Sequence, residues 1–408
     1  MRAGTVLGRE RSARGDMHTT TMLNEEKTRG VLEQPTPTPT PPTTNTLFDR
    51  YQELITTGKV QWTTYHRLER ELGSGGQGVV YLSRRKGADG FNLPVAMKVF
   101  SPERFSSVAA YVKAMERLAR VASRVAMIQQ DNVLDVQDFV DRDSIRVMIM
   151  EWIDGYDLRE LMNPLRLALV RERSQPKRWE YIDSVIATFG PEQCRFKAGV
   201  AVAIVRDCLA ALAALHRERI VHGDIKPSNI MLKRTGNAKL IDFGSAFELE
   251  NLPPTRACTP AYAAPEVLEG SCSTPRSDLA SLGYVLIEML SGRPCFSSDL
   301  NFAELLEAKR RLPSELHTLL PPDVVCNNLL MNLCRRFVTP DPTRRFPSAE
   351  AAELLEDGAA QFHRQLVFGD LASEYEHDIR VWLEELRQLD EEVPRDGRDK
   401  STGWELTS

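Results

Sequence analysis

The stretch HGDIKPSNIML, residues 222–232, limits what this chain can fold into more than any other part of its sequence. Asp224 is followed two residues later by Lys226 and five residues later by Asn229, within a run that is otherwise apolar enough to be buried. Chemistry on phosphate needs positioning and charge neutralisation more than covalent help, and a carboxylate beside a lysine and an amide supplies both. The spacing therefore predicts a site for phosphate chemistry.

Length, charge and cysteine content narrow the class of protein. A chain of 408 residues exceeds what one ordinary core needs, so two lobes or a domain with tails is expected. The net charge of −5 gives no electrostatic footprint for nucleic acid, and the sequence predicts neither a membrane span nor a secretory signal. The seven cysteines contain no C-x-x-C pair, which argues against a zinc site and fits a cytoplasmic protein.

Both ends of the chain are expected to lie outside the folded body. Residues 1–46 are polar and finish in QPTPTPTPPTTNT, whose alternating threonine and proline cannot enter a helix or a sheet interior. This Thr/Pro-rich segment is predicted to be disordered, and it is either a spacer or a set of phosphoacceptor threonines. Residues 393–408 are also predicted to be disordered, and residues 357–392 are predicted to form a helical extension.

The middle of the chain begins rich in strands and then becomes helical. Residues 65–100 alternate short strands with turns, and the strand PVAMKVF places Ala96 and Lys98 on one face because side chains alternate. The apolar run IRVMIMEWI, residues 145–153, is predicted as a central strand. The segment beyond it is predicted to be mainly helical, with a strong buried helix at residues 198–216.

A glycine-rich turn precedes the lysine of this strand region. GSGGQGVV supplies Gly73, Gly75 and Gly78 before Val80, and a loop that lays its backbone over phosphates needs such positions without side chains. A glycine turn alone is as consistent with an ordinary hairpin. Lys98, in VAMK, follows 25 residues after Gly73, and this pairing favours a phosphate-binding loop over a surface lysine.

Further motifs follow in a fixed order. KLIDFGSA places Asp242 18 residues after Asp224, and CTPAYAAPE and SDLASLGYVLIEMLSGRPCF follow at residues 258–266 and 277–296. Together with the glycine turn and its lysine, these motifs resemble the eukaryotic-type protein serine/threonine kinase family over residues 65–355. The start GSAF and the segment TRRFPSAEAAE resemble bacterial members of that family.

This resemblance implies an α+β, bilobal protein kinase-like fold that binds ATP between its lobes. Residues 65–153 would form a small antiparallel β-sheet lobe with one helix, and residues 154–356 a larger, mainly α-helical lobe. The implied reaction transfers the γ-phosphoryl group of ATP, with Mg²⁺, to serine or threonine hydroxyls of protein substrates. Asp224 would be the catalytic base and Lys226 would stabilise charge. The implied magnesium ligands are Asn229 and Asp242. The N-terminal threonines become candidate autophosphorylation sites.

The resemblance also implies a nucleotide site along the small lobe. Met150 would be the gatekeeper, and backbone groups of Glu151 and Ile153 would bind adenine. Asp157 would either reach the ribose or cap the next helix. The implied nucleotide-binding residues are Leu72, Gly73, Gly75, Gly78, Val80, Ala96, Lys98, Met150, Glu151, Ile153 and Met231.

Lys98 needs a helix carboxylate to hold it in such a site. A helix is predicted over residues 106–128, and Glu116 is the one acidic residue between positions 104 and 130. Glu116 is therefore predicted as the partner of Lys98. The interval from Glu116 to QDN at residues 130–132 is about a helical turn longer than the family pattern, which is a departure at this point.

Two other classes of function share much of this pattern. Gly223 stands where most protein kinases carry arginine, and the resulting HGD resembles aminoglycoside and choline phosphotransferases. The two motifs after residue 257 favour a protein kinase, since small-molecule kinases lack them. A scaffold without catalysis would be expected to have lost one of the residues Lys98, Asp224, Asn229 and Asp242, and all are present.

The C-terminal motifs imply specific contacts. These are Thr259 with Asp224 and Lys226, a buried Glu266–Arg345 ion pair, and Asp278 with the backbone of the catalytic loop. Gly223 has a regulatory consequence, because the missing arginine is the cation that binds a phosphorylated activation loop in many protein kinases. Activity is therefore predicted not to require phosphorylation of residues 245–257, although Thr255 lies there.

The C-terminal segment EHDIRVWLEELRQLDEE predicts an acidic amphipathic helix over residues 376–392. Its apolar face consists of Ile379, Trp382, Leu383, Leu386 and Leu389. The stretch at residues 166–178 is rich in arginine, so the opposite charges predict that the helix docks there. The fold of residues 163–197 is left open by the sequence pattern.

Overall fold

The computed structural model describes residues 66–253, 258–368 and 375–392, with isolated positions at 49, 52, 55 and 56. The described residues from 66 onward belong to one compact unit. The predicted terminal segments 1–46 and 393–408 lie outside the described residues, and so does Thr255.

The small lobe is built on a five-stranded antiparallel sheet with the order β1-β2-β3-β5-β4. Its strands are β1 Leu68–Gly75, β2 Gly78–Lys86, β3 Asn92–Phe100, β4 Val136–Arg142 and β5 Ile145–Glu151. The alternation of β3 sends Ala96 to the main core, whereas Val95 and Met97 join a separate apolar cluster on the other face. Lys98 pairs with Met148 across β3 and β5, so it lies near the centre of the sheet.

One helix, α1 Val108–Val125, covers the core face of this sheet. Its N-terminus is capped by Ser107, whose hydroxyl accepts a hydrogen bond from the Ala110 N–H at 3.1 Å. Met115, Leu118 and Val121 recur at helical spacing and are buried against the core. The inward face of α1 is therefore apolar.

The large lobe is mainly helical. Its helices are α2 Leu158–Leu161, α3 Pro164–Arg173, α4 Pro176–Tyr181, α5 Ala198–Arg217, α6 Pro265–Leu268, α7 Pro275–Ser291, α8 Phe302–Leu319, α9 Pro322–Val325, α10 Asn328–Phe337, α11 Ala349–Leu354, α12 Ala359–Phe368 and α13 Tyr375–Glu392. Its short strands are β6 Gly155–Asp157, β7 Ala187–Phe189, β8 Cys194–Phe196, β9 Ile220–Val221, β10 Ile230–Lys233, β11 Ala238–Leu240 and β12 Phe247–Glu248. Single helical turns lie at Ala88–Gly90, Ile182–Ile186, Pro227–Asn229, Phe243–Ser245 and Pro342–Arg344.

Helices α5 and α7 form the centre of the large lobe. Every residue from Ser277 to Ser291 in α7 is buried, and most of α5 is buried as well. A helix that is apolar on all sides belongs in a core, where several elements surround it. Within the described residues, α5 is the one helix whose length and hydropathy would allow it to cross a bilayer, and 72% of that apolar window is buried inside the fold. The predicted α+β, bilobal kinase-like fold is confirmed.

The stretch that the sequence left open, residues 163–197, forms α3, α4, a π-helical turn and the β7–β8 hairpin. Helix α13 packs on this stretch and on α5, with Trp382 edge-on to Phe196 at a ring-centroid distance of 5.9 Å. Arg178 forms a bidentate pair with Glu385, at 2.7 and 3.1 Å. The acidic helix thus docks on the arginine-rich stretch, as the charges predict.

Candidate active site

Asp224 lies in the loop after β9 and is held through both carboxylate oxygens. Oδ1 accepts hydrogen bonds from the Thr259 hydroxyl at 2.7 Å and from its N–H at 3.2 Å. Oδ2 lies 2.8 Å from the Nζ of Lys226, which also donates to the Thr259 hydroxyl at 3.1 Å. A carboxylate and an ammonium are thereby fixed side by side, so one can accept a proton while the other faces developing negative charge.

Asn229 joins this group to the next strand. Its Nδ2 donates to the Asp224 carbonyl at 2.8 Å and to Asp224 Oδ2 at 3.3 Å. The Asn229 carbonyl accepts from the Ile241 N–H at 3.0 Å, which brings Asn229 beside the segment that carries Asp242. Because the amide nitrogen is committed to Asp224, the amide oxygen is the atom that could serve a cation.

Asp278, on the buried helix α7, fixes the backbone of this loop. Its carboxylate accepts the N–H groups of His222 and Gly223, each at 2.9 Å, and it lies 2.9 Å from His216 Nε2. Gly223 has a positive φ of 75°, and a Cβ there would lie 3.1 Å from the carbonyl oxygen of Ser245. The contact predicted for Asp278 is present, and the loop conformation itself suits glycine at position 223.

Asp242 faces Lys98 across the cleft between the lobes. Lys98 Nζ lies 2.5 Å from Asp242 Oδ1, which also accepts from the Gly244 N–H at 3.0 Å. Burial raises the pKa of Asp242, but the charge and hydrogen bond of Lys98, with smaller help from Gly244, hold that pKa below its usual value. The carboxylate is therefore charged at neutral pH.

Lys98 has a second acceptor that the sequence analysis missed. Its Nζ donates to Gln77 Oε1 at 2.8 Å, and Gln77 Nε2 donates to Ser245 Oγ at 3.2 Å. Gln77 is the polar residue at the tip of the glycine turn, in GSGGQG. The position of Gln77 in the sequence could have indicated this contact, because the glycine turn was already predicted to lie over the phosphate site.

The predicted pair between Lys98 and Glu116 is not found in the described structure. Glu116 is exposed on α1, on the same side as the exposed Lys113 and Arg120, and the Lys98 ammonium contacts Asp242 instead. The physical reason is the phase of the helix: Met115 is buried, and one residue further turns the side chain by about 100° toward solvent. In this structure, therefore, Glu116 does not hold Lys98, and the ammonium is held by other acceptors.

The glycine turn and the sheet form the roof of the cleft. Gly78 has a φ of 137°, and a Cβ there would overlap the Val99 carbonyl oxygen, so the turn itself requires glycine. A Cβ at Gly73 or Gly75 would meet nothing within 4 Å, which leaves open space beside both. The apolar residues predicted for the nucleotide site are packed in or against the main core, and they are Leu72, Val80, Ala96, Met150 and Ile153.

The segment between the lobes is fixed by pairing and capping. Met231, one of the predicted nucleotide-binding residues, pairs with Asp157 between β10 and β6, which places it beside the start of the large lobe. The Asp157 carboxylate accepts the Glu160 N–H at 2.8 Å and so caps α2. Burial raises the pKa of Asp157 to about 6, although the capping bonds oppose the shift. The Glu151 side chain pairs with Lys239 and accepts the Asp135 N–H, which leaves the Glu151 side chain committed.

The oxygen donors of this site fit magnesium in company with phosphate. Within the described part of the chain, no group of three or more His, Cys, Asp or Glu could hold a metal ion by itself. Mg²⁺ commonly takes one or two protein oxygens and completes its shell with water and substrate phosphates. Asp242 and Asn229 could supply such oxygens.

The segment after residue 257 is joined to the large lobe by a buried ion pair. Arg345 donates to both oxygens of Glu266, at 2.6 and 2.7 Å, and the Arg345 side chain is fully buried. Arg345 also donates to the Thr339 carbonyl at 2.7 Å. The predicted pair is present, and with the contact from Thr259 to Asp224 it holds this segment against the catalytic loop.

Comparison with known proteins agrees with this geometry. A family model described as protein kinase domain matches residues 66–356. The chain is 33% identical over 239 residues to the serine/threonine-protein kinase PknH of Mycobacterium bovis, which covers 58% of this chain and 34% of that protein. It is 28% identical over 300 residues to PrkC of Bacillus subtilis, covering 71% and 39%, and 26% identical over 313 residues to the probable kinase PknB of Lactococcus lactis, covering 75% and 43%.

The matched part thus spans less than half the length of these relatives. The family model, by contrast, covers well over half of this chain and includes both lobes and every element of the cleft. The chain therefore belongs to the protein kinase family, in its eukaryotic-type serine/threonine form.

Proposed function

We propose that this chain is an active protein serine/threonine kinase that transfers the γ-phosphoryl group of ATP to hydroxyls of protein substrates. The observation that carries the proposal is the contact of Thr259 with both Asp224 and Lys226, at 2.7 and 3.1 Å. It ties residues 258–266, a motif that favours a protein kinase over a small-molecule kinase, directly to the carboxylate and the lysine. The family membership and the names of the relatives support the same reading.

Each group has a defined task in this reaction. Asp224 would orient the acceptor hydroxyl and take its proton, and Lys226 beside it would face the charge that develops on the phosphoryl group. Lys98 would hold the α- and β-phosphates. Asn229 and Asp242 would hold Mg²⁺, which neutralises phosphate charge when it is bound.

The test is transfer of labelled phosphate from ATP, with Mg²⁺, to the protein itself and to a generic basic protein. Asp224→Ala should lower incorporation by about 10²-fold or more, because it removes the base. Asp224→Asn is the matched variant that keeps the size of the side chain. Label should appear on serine or threonine, and the N-terminal threonines are proposed autophosphorylation sites.

Two results would contradict the proposal. Binding of ATP without transfer to any protein would favour a scaffold, and transfer to aminoglycosides or choline in its place would favour a small-molecule kinase. Incorporation that persists in Asp224→Ala would remove Asp224 from its assigned role.

We propose further that activity does not depend on phosphorylation of the segment at residues 245–257. Gly223 offers no cation to a phosphate. In its place, Arg124 at the end of α1 contacts the Glu248 carboxylate at 3.2 Å and the Glu218 carbonyl at 2.6 Å. The Glu248 carboxylate thus supplies, without phosphorylation, a negative charge that links α1 to the large lobe through Arg124.

The prediction is that protein treated with a phosphatase, and protein carrying Thr255→Ala, keep most of their initial rate of transfer to the basic protein. Incorporation is to be measured in the first minutes, before autophosphorylation can rebuild modified sites. Loss of nearly all activity after treatment, with recovery on loop phosphorylation, would refute this independence.

A further inference from the structure

Lys98 is an almost fully buried ammonium whose expected helix partner is absent. It is 5% exposed, and a charge at such a position needs hydrogen-bond acceptors. The face that α1 turns toward the core is mostly apolar, with Met115, Leu118 and Val121. Its buried polar side chain, Tyr111, is already engaged, because its hydroxyl donates to the Phe100 carbonyl and accepts from the Arg146 N–H. Some other element must therefore hold the ammonium on the side away from Asp242.

Gln77 occupies that position. Its Oε1 accepts from Lys98 Nζ at 2.8 Å, and its Nε2 donates to Ser245 Oγ at 3.2 Å. The side chain fits closely over Gly244, since a Cβ there would lie 1.7 Å from Gln77 Oε1. One amide thus joins the glycine turn, the strand β3 and the turn that follows Asp242.

An amide differs from a carboxylate in a way that matters for phosphate. A glutamate partner would add a second negative charge beside the ammonium, next to Asp242, whereas an amide oxygen orients it through a dipole and adds no charge. The same amide offers a donor at its other end, which a carboxylate lacks at neutral pH. Gln77 can therefore orient Lys98 and hold the tip of the glycine turn at the same time.

We propose that Gln77 is the positioning residue of the phosphate site, and that it holds Lys98 from the glycine turn because the helix glutamate, Glu116, does not contact it. This inference rests on the proposed function, because Lys98 is taken to contact the phosphates of ATP. Gln77 acts through Lys98 and Ser245 and need not touch the reacting atoms.

The experiment compares Gln77→Leu with Ser74→Ala, an exposed position in the same turn, and with Glu116→Gln, the competing partner. Dissociation constants for ATP with Mg²⁺ and for adenosine are measured by calorimetry, and kcat and KM by peptide phosphorylation. Gln77→Leu should weaken ATP by about tenfold, the usual effect of losing a hydrogen bond to a charged group, and leave adenosine unchanged. Ser74→Ala and Glu116→Gln should bind both as wild type does.

A loss of affinity for ATP but not for adenosine would indicate that Gln77 positions Lys98, whereas a damaged fold would weaken the binding of both ligands. Thermal unfolding of the variant checks directly whether the fold is damaged. Unchanged ATP affinity in Gln77→Leu would overturn the inference while leaving the proposed function intact. Tighter ATP binding would also overturn it, since Gln77 would then block the phosphate site. A loss of ATP affinity in Glu116→Gln would return the role to the helix. Wild-type protein that neither binds ATP nor transfers phosphate would refute the proposed function as well.

Discussion

Lys309 on α8 is the buried charged residue whose surroundings are least usual. Its Nζ donates to the Ala261 carbonyl at 2.6 Å and lies 4.1 and 4.2 Å from the ring centroids of Tyr284 and Phe296. Burial lowers the pKa of Lys309 to about 7. The Lys309 ammonium therefore holds the backbone of residues 258–266 at Ala261, and its pKa lies near neutral pH.

A pH-dependent stability follows from Lys309. Between about pH 7 and its ordinary pKa of 10.5, the folded protein binds fewer protons at this site than the unfolded chain. The free energy of unfolding therefore rises with pH through this window, relative to Lys309→Met. Urea unfolding of both proteins at pH 6 and pH 9 measures the difference, in which the other titrating groups cancel. A difference that stays constant would show that Lys309 remains protonated in the fold.

Helix α13 is held in place by contacts with residues that are far away in the sequence. Trp382 is 2% exposed and packs on Phe196, and the Tyr181 hydroxyl donates to Asp378 at 2.6 Å. At its far end the Tyr156 hydroxyl donates to Asp390 at 2.9 Å, and Arg166 reaches the same carboxylate at 3.2 Å.

Trp382→Ala should lower the free energy of unfolding by about 3–5 kcal/mol, because it leaves a large cavity where α13 packs on Phe196 of β8. Arg380→Ala, at an exposed position of the same helix, is the control and should change it little. Denaturant unfolding followed by circular dichroism measures both. An unchanged midpoint for Trp382→Ala would mean that α13 does not unfold together with the large lobe.

Elements with a strong period were predictable from the sequence, whereas side chains that depend on phase or on distant partners were not. The apolar face of α13 predicts the helix, and the charges of residues 166–178 predict its docking site. Residues 163–197 have no comparably strong period, so the sequence left the folds of α3, α4 and the β7–β8 hairpin open. Glu116 was chosen from helix periodicity and as the one acidic residue of the segment, but in this structure the phase of α1 turns Met115 inward and Glu116 outward. Gln77 was missed because its partners lie 21 and 168 residues away.

At the scale of the whole molecule, Arg124 connects the two lobes at the surface. Its guanidinium reaches Glu218 in the large lobe and Glu248 at the start of the activation segment. An exposed pair of this kind contributes less than about 1 kcal/mol to stability, because water and salt screen it. Its effect should instead be on the position of α1 relative to the cleft.

Arg124→Ala should therefore lower the rate of phosphate transfer several-fold while leaving the midpoint of urea unfolding nearly unchanged. Arg120→Ala, on the exposed side of the same helix, is the matched control. Rates measured at low and high salt should differ less in Arg124→Ala than in the wild type. Equal activity of the two variants would show that this contact does not position α1.

The ion pair between Lys98 and Asp242 has a consequence for motion. Lys98 is fixed in the sheet of the small lobe, whereas Asp242 follows β11 of the large lobe, whose catalytic loop is tied to α7 through Asp278. A movement that separates the two lobes therefore also pulls apart this 2.5 Å contact between Lys98 and Asp242. Spectroscopic labels placed on β3 and on α7 would measure the distance between the two lobes. Ligands could then be ranked by the distance that remains when each of them is bound.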